Sequence, residues 1–218
     1  YTYKISGSPL KSVNVQSYLG VHLSKDLRWN NQVANVAKKA NSTLFFIRLN
    51  LGKCSSETKE TWYKTLVRSV LEHAAGAWDP YTQKNIVEIE NVQRRAARFV
   101  TETYQQKESV TALLNSLKWN NLLSRRTINR LTIFYKIMNG SVAISLPNEI
   151  TRPIRSVRST QDHSFVPLFS RTDAYKYSFF PRTIKDCHCA VPTVEGVLSD
   201  DFGAVPALEG ILCRGVVT

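Results

Sequence analysis

Residues 33–47 read VANVAKKANSTLFFI, and this stretch decides the fold class. Its apolar residues recur at the three- and four-residue intervals that place side chains on one face of an α-helix. These apolar positions are Val33, Val36, Ala37, Ala40, Leu44 and Ile47. Asn30 or Asn31 can cap the start of the helix, and Gly52 follows its end. The stretch therefore predicts a long amphipathic helix that buries one face in a core.

The same helical period continues downstream and predicts four further helices. Ser55 caps the second helix, and the third begins near Thr82. Ser109 caps a short fourth helix, and Asn120 or Asn121 opens a fifth that closes before Gly140. Since the connections between these helices are short, we expect residues 29–140 to form a helical bundle.

The segments on either side of the bundle have a different pattern. Residues 1–28 alternate apolar and polar side chains around turn residues, which predicts a small antiparallel β-hairpin. Residues 141–186 lose the helical period and mix arginine, proline and aromatic residues, so we expect an irregular extension with one or two short strands. Residues 187–218 contain Val-Pro-x-x-Glu-Gly twice, and we interpret them as a tail outside the core, disordered or translated out of frame. The predicted fold is mainly α, with a hairpin, a bundle and an irregular C-terminal extension.

The composition indicates a globular, strongly basic protein. Apolar residues make up 43% of the 218 residues, which excludes a wholly disordered chain. No apolar run approaches the roughly 18 residues of a membrane span, so we expect no membrane partner. Residues 1–186 hold 28 basic and 13 acidic residues, whereas residues 187–218 hold one basic and four acidic residues. Such an excess predicts a polyanion partner, most simply nucleic acid, the alternative being a basic protein that is merely soluble.

The basic residues form rows on three of the predicted helices. The members of these rows are Lys38 and Lys39 on the first helix, Arg94, Arg95 and Arg98 on the third, and Arg125, Arg126 and Arg130 on the fifth. Arginines four residues apart share a helix face, and each guanidinium can donate two hydrogen bonds to phosphate oxygens. The alternatives are solvated faces or ion pairs with nearby glutamates. If six phosphates are neutralised, the log–log salt dependence of binding has a slope of about −4 to −5.

Residues able to carry catalysis or bind a metal are not grouped in the sequence. Two-metal chemistry needs converging carboxylates, and the aspartates of the basic part are all isolated from one another. Asp200 and Asp201 are adjacent, but they follow the first tail repeat and are interpreted as a surface turn. Cys187 and Cys189 lack the second ligand pair of a zinc site. We therefore predict no catalytic residue, no metal site and no cofactor in this chain. Four cysteines without a disulfide framework favour a reducing compartment, the nucleus or the cytoplasm.

A series of short motifs across residues 1–186 resembles one family. The motifs include Tyr18-Leu19-Gly20-Val21, Trp78-Asp79-Pro80-Tyr81, Glu90-Asn91-Val92-Gln93-Arg94-Arg95-Ala96-Ala97-Arg98-Phe99, Leu117-Lys118-Trp119-Asn120-Asn121-Leu122 and Phe179-Phe180-Pro181-Arg182-Thr183-Ile184-Lys185-Asp186. In this order they resemble the C-terminal region of the reverse transcriptases of non-LTR (LINE-class, jockey-like) retrotransposons. The family continues after Arg182-Thr183 with a different pattern, so the resemblance ends before Cys187.

The resemblance implies a role in holding a template–primer duplex of RNA and DNA. Residues 1–28 would form the primer-grip edge of the palm, where Tyr18, Leu19 and Gly20 position the end of the primer. Residues 29–140 would form the thumb, whose basic rows contact the nucleic-acid backbone, and residues 141–186 a basic extension. The catalytic aspartates of the family, which bind Mg²⁺, lie upstream of this region.

The start of the sequence also leads us to expect a fragment. The chain opens at Tyr1, and its only methionine is Met138. We therefore expect the rest of the polymerase chain to be a partner, and this part alone to be inactive as an RNA-directed DNA polymerase. The alternative is a stand-alone basic helical module that binds RNA or another protein.

Overall fold

The structure, a computed structural model, describes residues 3–105, 108–151 and 165–189. It confirms the predicted fold class: two small strand pairs at the N-terminus are followed by helices. Arg152, Arg155 and Arg158 of the predicted extension lie outside the described residues, as does the tail from residue 190 onward.

The N-terminal strands form two separate antiparallel pairs rather than one sheet. Strand β1 (Lys4–Ile5) pairs with β2 (Ser8–Pro9), and β3 (Val15–Tyr18) pairs with β4 (Val21–Ser24). Because Tyr18 pairs directly with Val21, the second hairpin turns through only two residues. On this hairpin Val21 is buried in the main core, so β4 attaches the hairpin to the bundle.

Helices account for most of the remaining described residues. They are α1 (Asn30–Leu51), α2 (Ser56–Trp62), a π-helical segment (Tyr63–Arg68), α3 (Ser69–Glu72), α4 (Gln83–Val100), α5 (Val110–Ser116), α6 (Leu122–Met138), α7 (Asp173–Lys176) and α8 (Phe179–Cys189). Two predicted caps are confirmed. Ser55 Oγ accepts a hydrogen bond from the Thr58 amide at 3.3 Å, and Asn121 Oδ1 accepts one from the Ser124 amide at 2.6 Å.

Helices α1 and α4 form the centre of the main core. The predicted apolar face of α1 is buried, as is the face of α4 that carries Val92 and Ala96. Asn85 Nδ2 donates to Asn30 Oδ1 at 2.8 Å, and Arg95 Nη1 donates to Asn41 Oδ1 at 2.9 Å. Since both pairs have nearly the same sequence separation, 55 and 54 residues, the two helices run parallel.

A second, smaller core joins the C-terminal helices to α6. Its buried residues are Phe134, Phe165 and Ile184. The strands expected between residues 141 and 186 are absent from the described part of that segment, which contains α7 and α8 instead. Pro181 lies in the first turn of α8, where proline costs no helical hydrogen bond.

Candidate nucleic-acid interface

Tyr18, Leu19 and Gly20, the predicted primer-grip residues, lie at the tip of the second hairpin. Tyr18 and Leu19 are 65% and 78% exposed. Leu19 and Gly20 have φ angles of 48° and 81°, as a two-residue type I′ turn requires. A Cβ on residue 20 would lie 3.3 Å from His73 Nε2, which also lies 3.3 Å from the Leu19 carbonyl oxygen. The tip is therefore fixed against the end of α3 while its apolar side chains face solvent.

The predicted basic residues of α1 and α4 lie on two helices that pack side by side. We call Lys38, Lys39, Arg94, Arg95 and Arg98 the cationic face. Four of these residues are exposed and Arg98 is half-buried. Arg95 lies at the junction of the two helices, because it bonds to Asn41 of α1. Among the described residues, none of the five forms a salt bridge with an acid.

The acids closest to the cationic face in sequence are engaged elsewhere. Glu102, one turn after Arg98, pairs with the buried Lys59 of α2. Glu90 accepts a hydrogen bond from the Leu123 amide at 3.0 Å, at the start of α6. Burial raises the pKa of Glu90, an effect that the hydrogen bonds from α6 and the charge of Arg94 oppose. The guanidinium groups of α4 thus remain available to an external anion.

Arg48 extends this surface toward the end of α1 and was not recognised in the sequence. It is exposed, and its guanidinium carbon lies 5.7 Å from the centre of the Tyr104 ring. Lys38 and Arg48 are ten residues apart, a distance of about 15 Å along a helix. Arg48 stands among apolar residues rather than in a basic row, so only the parallel packing of α1 and α4 reveals it.

Arg125, Arg126 and Arg130, the basic row predicted on the fifth helix, do not face solvent. They are only 6%, 3% and 2% exposed. The prediction that they contact the nucleic-acid backbone is wrong, because each guanidinium bonds to groups inside the protein. The spacing of the row was read correctly as one helix face, but that face points toward the acids Glu72, Asp79 and Asp186.

These internal bonds form a connected network, which we call the Asp79 cluster: Asp79, Arg126, Arg130, Arg182 and Asp186. Arg130 pairs with both aspartates, and Arg182 Nη1 lies 3.1 Å from Asp79 Oδ2. Arg182 also donates to the Asp79 carbonyl oxygen at 3.1 Å. The cluster therefore joins the chain before α4 to α6 and α8.

Arg126 is held by backbone oxygens as well as by charge. Its Nη1 donates to the Trp78 carbonyl at 3.0 Å and its Nη2 donates to the Leu71 carbonyl at 2.6 Å. Its guanidinium carbon lies 4.1 Å from the centre of the Trp78 ring. Burial lowers the pKa of Arg126 and of Arg182, and Asp79 opposes both shifts. Beside this cluster, Arg125 donates hydrogen bonds from Nε and Nη2 to the Glu72 carboxylate.

The part of the chain that the structure describes contains neither a candidate metal site nor a membrane-spanning helix. In that part of the chain, no three His, Cys, Asp or Glu side chains are grouped in a way that could hold a metal ion. No helix in the same part is long and apolar enough to cross a membrane. Comparison of the chain with protein-family models, curated proteins and solved structures finds no match.

Proposed function

We propose that this chain is the C-terminal part of the reverse transcriptase of a non-LTR retrotransposon, and that it holds a template–primer duplex of RNA and DNA. The observation that carries the proposal is the cationic face, on which five basic side chains form no salt bridge with an acid among the described residues. Such a surface attracts a phosphate backbone, because each contact releases counterions. The same proposal gives the chain an intracellular location, in the nucleus and cytoplasm.

Fewer basic residues of this chain can contact the duplex than its net charge suggests. Arg125, Arg126 and Arg130 are buried, so α6 stabilises the fold, and α1 and α4 contact the backbone. The exposed hairpin tip, with Tyr18 and Leu19, would lie near the primer end. The rest of the polymerase chain would be the partner that supplies the Mg²⁺-binding acids, and this chain alone would extend no primer.

The decisive experiment measures the salt dependence of binding to an RNA–DNA duplex. Arg94→Gln, Arg95→Gln and Arg98→Gln are combined in one variant, and fluorescence anisotropy is recorded between 50 and 200 mM KCl. We expect the log–log slope to become shallower by about three, roughly one for each lost phosphate contact. A primer-extension assay with Mg²⁺ on the unaltered chain should show no incorporation of nucleotides.

The matched control removes three exposed basic residues from other elements, namely Lys136, Arg171 and Lys185. This variant has the same net charge as the first, so it tests position rather than charge alone. We expect its slope to remain within about one of the unaltered protein. An equal loss in both variants would show that binding is diffuse, and the proposed interface would then be rejected.

One observation favours the alternative, a stand-alone module that binds another protein. Phe45, Phe46 and Leu49 on α1 are 61%, 60% and 69% exposed, an unusual concentration of apolar side chains on a helix surface. An absence of duplex binding at 50 mM KCl would favour this alternative, with these three residues as the interface.

A further inference from the structure

A cavity of about 210 Å³ lies beside the Asp79 cluster. It is formed where the end of the hairpin region, the segment before α4, and helices α6, α7 and α8 meet. Its lining includes three aromatic residues and three charged residues: Trp29, Tyr81, Tyr177, Asp79, Arg130 and Arg182. A second cavity of about 230 Å³ adjoins it, since Trp29 and Tyr81 line both.

Aromatic rings supply one part of the cavity wall. Tyr81 and Tyr177 are stacked with ring centres 4.0 Å apart and planes at 2°. Trp29 is half-buried and lies against Trp78 of the core, with ring centres 6.4 Å apart. A cavity of roughly 150 Å³ is large enough to hold benzene. The space therefore admits a planar ring, and the adjoining cavity admits the groups attached to it.

Positively charged side chains form the other part of the cavity wall. The Asp79 cluster contains three arginines and two aspartates, which leaves one positive charge in excess. Arg130 is 3% exposed at its side chain, and three buried atoms of the cluster have no hydrogen-bond partner among the described residues: the donors Arg130 Nε and Arg126 Nε, and the acceptor Asp79 Oδ1. Among the described residues, Arg182 bonds to Asp79 through Nη1, so its other donors can serve a ligand. Buried charges are stable when they are paired, and the cluster is one anion short of that condition.

From this geometry we propose that the cavity binds an aromatic ring joined to a singly charged oxyanion, as in a nucleotide unit whose phosphate is a diester. The ring packs among Trp29, Tyr81 and Tyr177, and the oxyanion accepts hydrogen bonds from Arg182. This site is separate from the cationic face and does not depend on it. The ligand could be a free small molecule or one nucleotide of a single strand, and both present the same chemistry.

The test measures binding to the full chain by isothermal titration calorimetry with four probes. Cyclic AMP carries a ring and one negative charge, adenosine carries the ring alone, and dimethyl phosphate carries the charge alone. The dinucleotide ApA represents a strand. We expect cyclic AMP or ApA to bind at least about tenfold more tightly than adenosine and dimethyl phosphate, which corresponds to about 1.4 kcal/mol. The tighter of the two identifies the source of the ligand.

Two variants fill the cavity without altering the ion pairs. Ala174→Leu and Ala77→Leu each enlarge an exposed alanine that lines it, and Ala34→Leu is the control on the outer side of α1. We expect each filling variant that folds to weaken binding about tenfold or more, and the control to leave it unchanged. The three substitutions on α4 should also leave it unchanged, so that the failure of this site is distinguishable from the failure of the duplex interface.

Three results would overturn the site. The first is no binding of cyclic AMP or ApA at millimolar concentration. The second is equal binding of dimethyl phosphate, because the ring would then contribute nothing. The third is unchanged binding in both filling variants, because the probe would then lie elsewhere on this basic protein.

Discussion

Helices α4 and α6 carry nearly the same arginine row and use it in opposite ways. Arg94 and Arg95 are exposed and Arg98 is half-buried. The three arginines of α6, Arg125, Arg126 and Arg130, are buried. The difference lies in what each helix packs against. Helix α4 packs on α1, which offers Asn41 and two lysines at that level, but no acid. Helix α6 packs against segments that present three carboxylates.

The role of an arginine row therefore depends on whether the fold places acidic side chains next to it. A row that meets carboxylates becomes part of the core, since a buried guanidinium is tolerated only when it is paired. A row that meets none remains on the surface and can bind an external anion. The free energy of unfolding distinguishes a buried arginine row that stabilises the fold from an exposed row that does not.

The largest loss is expected from Asp79→Ala. This substitution leaves Arg126, Arg130 and Arg182 with only Asp186 as an acidic partner in the cluster, and breaking a buried pair in this way costs about 3–5 kcal/mol. Urea unfolding followed by circular dichroism measures the change. Glu108→Ala, at an exposed acid, is the control and should stay within about 0.5 kcal/mol. Equal stabilities for the two variants would mean that the Asp79 cluster contributes nothing to the fold.

A smaller effect is expected when alkali ionises the thiol next to this cluster. Burial, assisted by Asp186, raises the pKa of Cys187 from 9.0 to about 11. The folded protein therefore keeps the thiol neutral at a pH where the unfolded chain has lost the proton. The resulting stability is fully present below pH 9.0 and declines as the pH rises to about 11, by at most about 2–3 kcal/mol.

Cys187→Ala isolates this contribution from other groups that titrate in alkali. The stability difference between the two proteins should change between pH 9.0 and about 11. A constant difference across that range would show that the thiol is not shielded from solvent as described.

The smallest effect on stability is expected from the triple variant Arg94→Gln, Arg95→Gln and Arg98→Gln. Among the described residues, Arg95 alone of the three makes a hydrogen bond to a side chain, at 2.9 Å to Asn41, so the combined change should be within about 1 kcal/mol. Urea unfolding checks this value alongside the duplex-binding assay. A loss of stability comparable to that of Asp79→Ala would show that these arginines stabilise the fold as those of α6 do.

Local patterns in the sequence predicted the helices and some of their caps. The sequence did not show which residues the site residues contact. The buried face of α1 follows directly from the spacing of Val33 to Ile47, and the capping of α6 from Asn121. The partners of Arg130 lie 51 and 56 residues away, and no local period indicates them. Glu72, Arg182 and Arg48 were missed for the same reason, because their roles depend on contacts between distant segments. The cavity beside Arg182 likewise exists only once α7 and α8 pack on the bundle.

The π-helical segment between α2 and α3 determines how far α3 is rotated about the helix axis. Its wider turn accommodates one residue more than an α-helix would over the same rise. If the same residues were wound as an α-helix, without the wider turn, α3 would be rotated by about 100°. Glu72 would then turn away from Arg125, and His73 would leave the hairpin tip. The insertion of one residue in a helix thus aligns two distant ends of the molecule at once.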